Sequence, residues 1–144
     1  MSADLFLEGG CLCGDIRYSS EKTPVFVSQC HCQRCRRHSG ALFVTHMGLP
    51  IEGFSWLQRK PTYWHSSKVF ERGFCTTCGS TIAGLYLDEP DIIVIPVGTL
   101  DDAEKVVPDR HIMTESQISW LKIDDDLPRY PRLSPGFEHL DLGT

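Results

Sequence analysis

The residues of this chain best suited to chemistry are its seven cysteines, which fall in three tight sets: Cys11 and Cys13; Cys30, Cys32 and Cys35; Cys75 and Cys78. Spacings of one or two residues are too short for comfortable disulfides within a set. They do let neighbouring thiolates converge on one metal ion at about 2.3 Å. A closed tetrahedral site consumes four thiolates, so seven divide into one full site and three that hold a metal with a position open.

Cys75-Thr-Thr-Cys78-Gly79 has the form of a zinc knuckle, its glycine supplying the backbone freedom needed just after the turn. A knuckle brings two ligands. Cys11 and Cys13 are natural donors of the other two, because Gly9, Gly10 and Gly14 permit a tight bend around the ion. A structural zinc on Cys11, Cys13, Cys75 and Cys78 closes a loop of more than sixty residues, where a clip contributes most to a fold. Pairing Cys32 and Cys35 with Cys75 and Cys78 in a ribbon is the other partition the spacing allows, but it strands three cysteines.

Three thiolates on Zn²⁺ leave a formal charge of −1, which blunts Lewis acidity yet still accepts a soft fourth ligand. Cys30, Cys32 and Cys35 are therefore the candidate catalytic residues, holding a second, exchangeable zinc at which an incoming thiol binds as thiolate. Arg34, Arg36 and Arg37 are the candidate substrate-binding residues: they offset the negative charge and can hold the carboxylates of a small acidic thiol. The plainer alternative is a second structural zinc whose fourth ligand is a histidine or carboxylate. His46, His65 and His111 are eligible for that role or for a proton relay, though each is more simply read as a partly buried histidine. His31, between two ligands, is expected to point away from the ion, to the surface or behind the ligands. Trp56, Trp64 and Trp120 are expected in the core or a pocket wall, and Asp124–Asp126 in a solvated turn.

The elements that must position these residues read as strands. Short alternating or β-branched runs predict strands at 14–18, 24–27, 41–47 and 62–65, and more central ones at 81–87 and 92–95, the last buried on both faces. Gly and Pro punctuation recurs at the spacing of an all-β protein. Helical signals are poor: one turn over 33–39 and a short capped helix over 99–105. The stretch 117–123 is read as strand or irregular, and Pro128, Pro131 and Pro135 predict an extended tail lying across the body or a partner subunit.

At 144 residues the chain is expected to be one domain, with a core over about 8–130 and a Pro-rich tail over 131–144. Its start lacks the basic and apolar regions of a signal sequence, so a reducing cytoplasm is expected, where clustered cysteines hold metals rather than disulfides. No membrane partner is expected. Net charge is −5 and the only compact basic run is Arg34-Cys35-Arg36-Arg37, which argues against nucleic acid.

Taken together, Cys11-x-Cys13-Gly14, Cys30-His31-Cys32-x-x-Cys35-Arg36, Phe74-Cys75-x-x-Cys78-Gly79-Ser80 and the closing Trp120…Asp125-Asp126-Leu127-Pro128 resemble the glutathione-dependent formaldehyde-activating family, with centromere protein V. The resemblance implies a mainly β, Mss4-like, zinc-clamped fold. It implies one structural zinc on Cys11, Cys13, Cys75 and Cys78 and a second, labile zinc on Cys30, Cys32 and Cys35. The activity it implies is carbon–sulfur lyase chemistry joining glutathione to formaldehyde, or the reverse. Namesake enzymes are longer, so the zinc sites transfer better than the substrate. The competing expectations are a non-catalytic zinc-binding interaction module and a zinc or redox sensor. A homodimer is compatible with either.

Overall fold

The structure is a computed structural model and describes residues 5–140. It is mainly β. Among the described residues ten strands appear in chain order: β1 (Leu7–Gly10), β2 (Arg17–Ser20), β3 (Phe26–Cys30), β4 (Val44–Pro50), β5 (Phe54–Trp56), β6 (Thr62–His65), β7 (Phe70–Phe74), β8 (Thr81–Tyr86), β9 (Ile92–Pro96) and β10 (Arg110–Ile112). One α-helix, α1 (Gln33–Ser39), follows β3. β1, β2 and β5 form a three-stranded antiparallel sheet. The other seven form a sheet in the order β10-β3-β4-β9-β8-β7-β6, antiparallel except where β10 runs parallel to β3.

Because strand side chains alternate between faces, the large sheet presents two different surfaces. Val27, Met47, Leu49, Ile93 and Ile95 enter the main core, where they share a buried cluster with Leu7, Ile16 and Tyr18 of the small sheet's region. Tyr18 is stacked on Phe54 and meets Trp56 edge-on. On the opposite face lie Phe26, Phe70, Tyr86 and Val94, a second apolar cluster. The expectation that β9 is buried on both faces thus holds: Ile93 and Ile95 serve one core and Val94 the other.

A row across that second face explains two glycines. Phe26 pairs with Gly48, Gly48 with Val94, Val94 with Gly84, and Gly84 with Arg72. A Cβ at Gly48 would collide with the Phe26 ring, and one at Gly84 with the Phe70 ring. The absent side chains let both rings lie flat over the sheet.

Several expectations need correction. The helix expected over 99–105 is only a 3-10 turn, Ala103–Lys105, capped by Asp102 accepting from the Glu104 N–H at 3.2 Å. The glycines at 9 and 10 are not simply a bend but the end of a paired strand. β1, β5, β7 and β10 add strands to the expected set. The stretch 117–123 is irregular. Trp64 and Trp120 are 57% and 68% exposed, so neither is core; β6 is an edge strand, and Trp120 sits in an irregular loop. Trp56 is half-buried, as expected. The tail lies against the chain's own body, ending at the buried Leu140, and residues 141–144 of the expected tail lie outside the described residues.

Candidate metal centres and the cavity beside them

Two tight turns bring the outer cysteines together. Cys11 opens a turn in which its N–H donates to Ile16 O (3.0 Å), the Gly14 N–H donates to Cys11 O (3.2 Å) and the Ile16 N–H donates to Cys11 Sγ (3.3 Å). The second turn repeats the plan: the Cys75 N–H donates to Ser80 O and the Gly79 N–H to Cys75 O. Gly14 and Gly79 take φ of 85° and 79°, the left-handed conformation that lets the chain curl behind two sulfurs. Ser80 Oγ accepts from the Leu12 N–H at 3.1 Å, stitching one turn to the other.

The sulfurs of Cys11, Cys13, Cys75 and Cys78 all lie within 4.8 Å of one another. Cys11 and Cys13 are 3.6 Å apart, Cys13 and Cys75 3.8 Å. Four sulfurs at about 2.3 Å from a tetrahedral centre stand about 3.8 Å from each other. These are the separations of co-ligands and are far too long for disulfides. The residues therefore fit a tetrahedral thiolate metal such as zinc, joining the β1–β2 hairpin to the β7–β8 hairpin.

The middle set forms differently. β3 ends at Cys30, and the chain turns through Cys32 into α1. Cys32 caps that helix, its sulfur accepting from the Cys35 N–H at 3.3 Å, so Cys35 returns one turn later on the inward face. All three cysteines are buried and their sulfurs lie within 4.8 Å of one another. Contacts with Cys30 and then Cys35 draw the Cys32 thiol down to about 2, while contacts with Cys32 and Cys35, with burial, hold Cys30 well above its ordinary value. One negative charge is accommodated among the three and further ones are resisted. A dication meets that demand.

Alternation along the strands brings further groups to the same face. Arg72, 4% exposed, extends both terminal guanidinium nitrogens toward Cys35 Sγ at 3.9 and 3.8 Å and lies over the Phe70 ring. His46 Nε2 is 3.6 Å from Cys35 Sγ, and His46 Nδ1 is buried with no partner. The compact group holds the three sulfurs and not the histidine. Burial, with Arg72 nearby, pushes His46 down to about 4, so it is neutral at physiological pH. Burial pushes the Tyr86 phenol up, keeping it protonated. Cys30, Cys35, His46 and Tyr86 all line one cavity of about 30 Å³, whose other walls are mainly apolar.

The remaining expected residues separate. Arg34 donates to Ser66 O at 2.6 Å, and Arg36 to His31 O at 3.2 Å and Ser116 O at 2.6 Å; Arg37 is exposed. Two of the three arginines thus use donors to anchor α1. His65 is exposed on β6, near Glu71 at 3.0 Å. His31 does point behind the ligands, but it is fully buried rather than on the surface. Its Nε2 lies 2.9 Å from His111 Nδ1, and His111 Nε2 lies 2.8 Å from Asp125 Oδ2. Asp125 is therefore more than part of a solvated turn, and the hydrogen bond with His111 lowers its pKa.

Arg72 and Tyr86 are neighbours of the site that sequence reasoning missed; for Tyr86 no signal beyond its place at the end of a strand was available, and Arg72 offers one. The one available signal was an arginine facing the same side as Phe70 in Phe70-Glu-Arg-Gly-Phe74, an alternation that places its side chain where an apolar one belongs.

Comparisons with known proteins complete the picture. The family model described as "Glutathione-dependent formaldehyde-activating enzyme" matches residues 6–116. A search of curated proteins finds no match. The chain is similar to a protein of Rhodobacter sphaeroides seen in a crystal structure, at TM-score 0.56 and 21% identity, covering 71% of this chain and 92% of that one. At that identity the likeness speaks to the fold alone. The family match spans all three cysteine sets, and by it the chain belongs to the glutathione-dependent formaldehyde-activating enzyme family.

Proposed function

We propose that this protein is a zinc-dependent carbon–sulfur lyase-like enzyme that joins a small thiol such as glutathione to an aldehyde such as formaldehyde, or releases it. The observation that carries this reading is the set of three buried sulfurs, Cys30, Cys32 and Cys35, two of which border a cavity. Cys11, Cys13, Cys75 and Cys78 hold a structural zinc; Cys30, Cys32 and Cys35 hold an exchangeable one. Bound zinc at the three-thiolate site stabilises an added thiol in its thiolate form.

The chain's own residues do the rest. His46, neutral and 3.6 Å from Cys35 Sγ, receives the proton that the thiol sheds. Arg72 offsets the excess negative charge of the thiolates from within the protein. Tyr86, held protonated, donates a hydrogen bond toward the carbonyl oxygen as sulfur adds to carbon. Arg37, with the N–H groups that Arg34 and Arg36 do not spend on carbonyls, attracts the thiol's carboxylates. A carbon–sulfur bond forms, the thiol proton ends on the former carbonyl oxygen, and no oxidant is needed.

Native mass spectrometry of zinc per chain, with and without glutathione, tests this. Two zincs at rest and a glutathione adduct that depends on Cys30, Cys32 and Cys35 are expected. Two inert zincs with no thiol binding would sink the lyase reading and leave a non-catalytic zinc-binding module.

A further inference from the structure

The cavity beside Cys30 and Cys35 is closed by a part of the chain outside the family match. From Leu133 the tail turns back over the second face of the large sheet. Ser134 Oγ accepts from Arg110 at 2.9 Å, the Phe137 N–H donates to Ser134 O at 3.0 Å, and the Leu140 N–H donates to Phe137 O at 2.9 Å. The Phe137 ring meets Phe26 edge-on at 5.3 Å and lies beneath the Arg110 guanidinium. Leu140, 2% exposed, packs with Phe26, Phe70, Tyr86 and Val94. With both side chains seated, only water-sized space remains against the thiolates.

The start of the strap is anchored, with Leu133 packed against the middle cysteine cluster and Ser134 buried, and its far end adds an exposed His139–Glu89 pair at 3.2 Å. Pro135, Gly136, Glu138 and His139, between and before Phe137 and Leu140, are exposed, and the strap's backbone bonds are two local turns. Beyond that anchor, Pro135–Leu140 is two apolar wedges on a mainly exposed segment, a low-stability element over a well-packed floor. The floor is apolar and aromatic at the end away from the sulfurs, which is the surface that recognises an apolar group rather than a hydrated one-carbon fragment.

We propose that Pro135–Leu140, hinged on Leu133 and Ser134, is a displaceable lid, and that the chamber beneath it takes the apolar group, aryl or branched alkyl, of a thiol–aldehyde adduct. This rests on the proposed function and narrows it: the aldehyde that fits carries a side chain the size of those that leave. Addition of the thiol to such an aldehyde forms one carbon–sulfur bond and passes the thiol proton to the carbonyl oxygen. The electron count is unchanged.

The test uses the full chain loaded with cobalt(II), whose thiolate charge-transfer bands report a new ligand. Benzyl mercaptan, with an aryl group on the carbon next to sulfur, is titrated against 2-mercaptoethanol, with a hydroxymethyl group there. Leu140→Ala is expected to tighten benzyl mercaptan at least fivefold and to change 2-mercaptoethanol less than twofold, with Phe137→Ala acting alike. Amide exchange at 137 and 140 is expected to accelerate when benzyl mercaptan binds. An unchanged preference in both variants, or an equal gain for both thiols, overturns the lid. Loss of the cobalt bands in both variants also overturns it, by making the strap part of the fold. If neither thiol perturbs the bands in any protein, the open metal site itself falls, an outcome separate from the others.

Discussion

Arg72 decides the electrostatics of the middle cysteines. A buried guanidinium is retained where something nearby carries compensating negative charge, and among the described residues its close neighbour is the sulfur of Cys35, in the set whose Cys32 thiol is drawn down, rather than a carboxylate. On the proposed assignment, three thiolates on a dication would leave one negative charge in excess, which Arg72 would offset without ligating. Arg72→Met is therefore expected to weaken zinc binding at Cys30, Cys32 and Cys35 about tenfold, roughly 1.4 kcal/mol, with Arg72→Lys recovering part. Competition with a chromophoric chelator measures this, and equal affinity in all three proteins would contradict it. The cysteines were legible in the sequence because ligand spacing is local: turns of one or two residues converge whatever surrounds them. Arg72 was not, because its proximity to Cys35 is created by sheet pairing across a long stretch of chain, and His46 could not be singled out from His65 and His111 for the same reason.

At the scale of elements, β2 is the strand that ties the small sheet to the main core, and Tyr18 does the tying. Its ring is fully buried and its hydroxyl lies 2.9 Å from Thr99 Oγ1. Burial pushes the phenol up to about 12. Below pH 10 both folded and unfolded chains keep the proton, so stability is flat from this source. Between about pH 10 and 12 the unfolded chain sheds it first, and stability falls by about 2–3 kcal/mol as pH rises. Urea denaturation across that window is expected to show the loss, and Tyr18→Phe to reduce the slope by one proton, at a neutral-pH cost of about 1 kcal/mol. Tyr63, likewise raised to about 12 by burial, accounts for part of the slope that remains.

Strand boundaries show what sequence reading catches and loses. β9 was plain because Ile92-Ile93-Val94-Ile95 has no competing reading at that length. β5 is three residues long and β7 carries Glu71, Arg72 and Gly73, so neither offers a continuous apolar or β-branched signal. Their pairing is decided by partners, Gly84 opposite Arg72 and Tyr18 opposite Trp56, and those contacts are invisible in one dimension.

At the scale of the whole molecule, the two metal sets have unequal structural weight. The outer four cysteines bridge hairpins 62 residues apart in sequence, whereas the middle three sit within one strand end and the helix after it. A metal on the outer set would close the longer loop, and Cys11 and Cys75 of that set lie in the main core. Cys78→Ser is expected to destabilise by about 3 kcal/mol or more, and Cys35→Ser to remove one zinc with a far smaller effect. Thermal denaturation paired with metal analysis distinguishes them; equal losses of stability would refute the division. Among the described residues no helix is long and apolar enough to cross a membrane.

The same separation has a consequence for biosynthesis. A chain made from its N-terminus presents Cys30, Cys32 and Cys35 as a complete set almost as soon as α1 has emerged. Cys11 and Cys13, though made earlier, wait through four further strands and into the turn after β7 for the other half of their site. On the proposed zinc assignment, the order of emergence would favour filling the middle set on the ribosome before the outer set can close when zinc is scarce. The ion bound first would then be the one that the proposed function makes exchangeable, and its later passage to the outer set would be a maturation step written into the order of the cysteines.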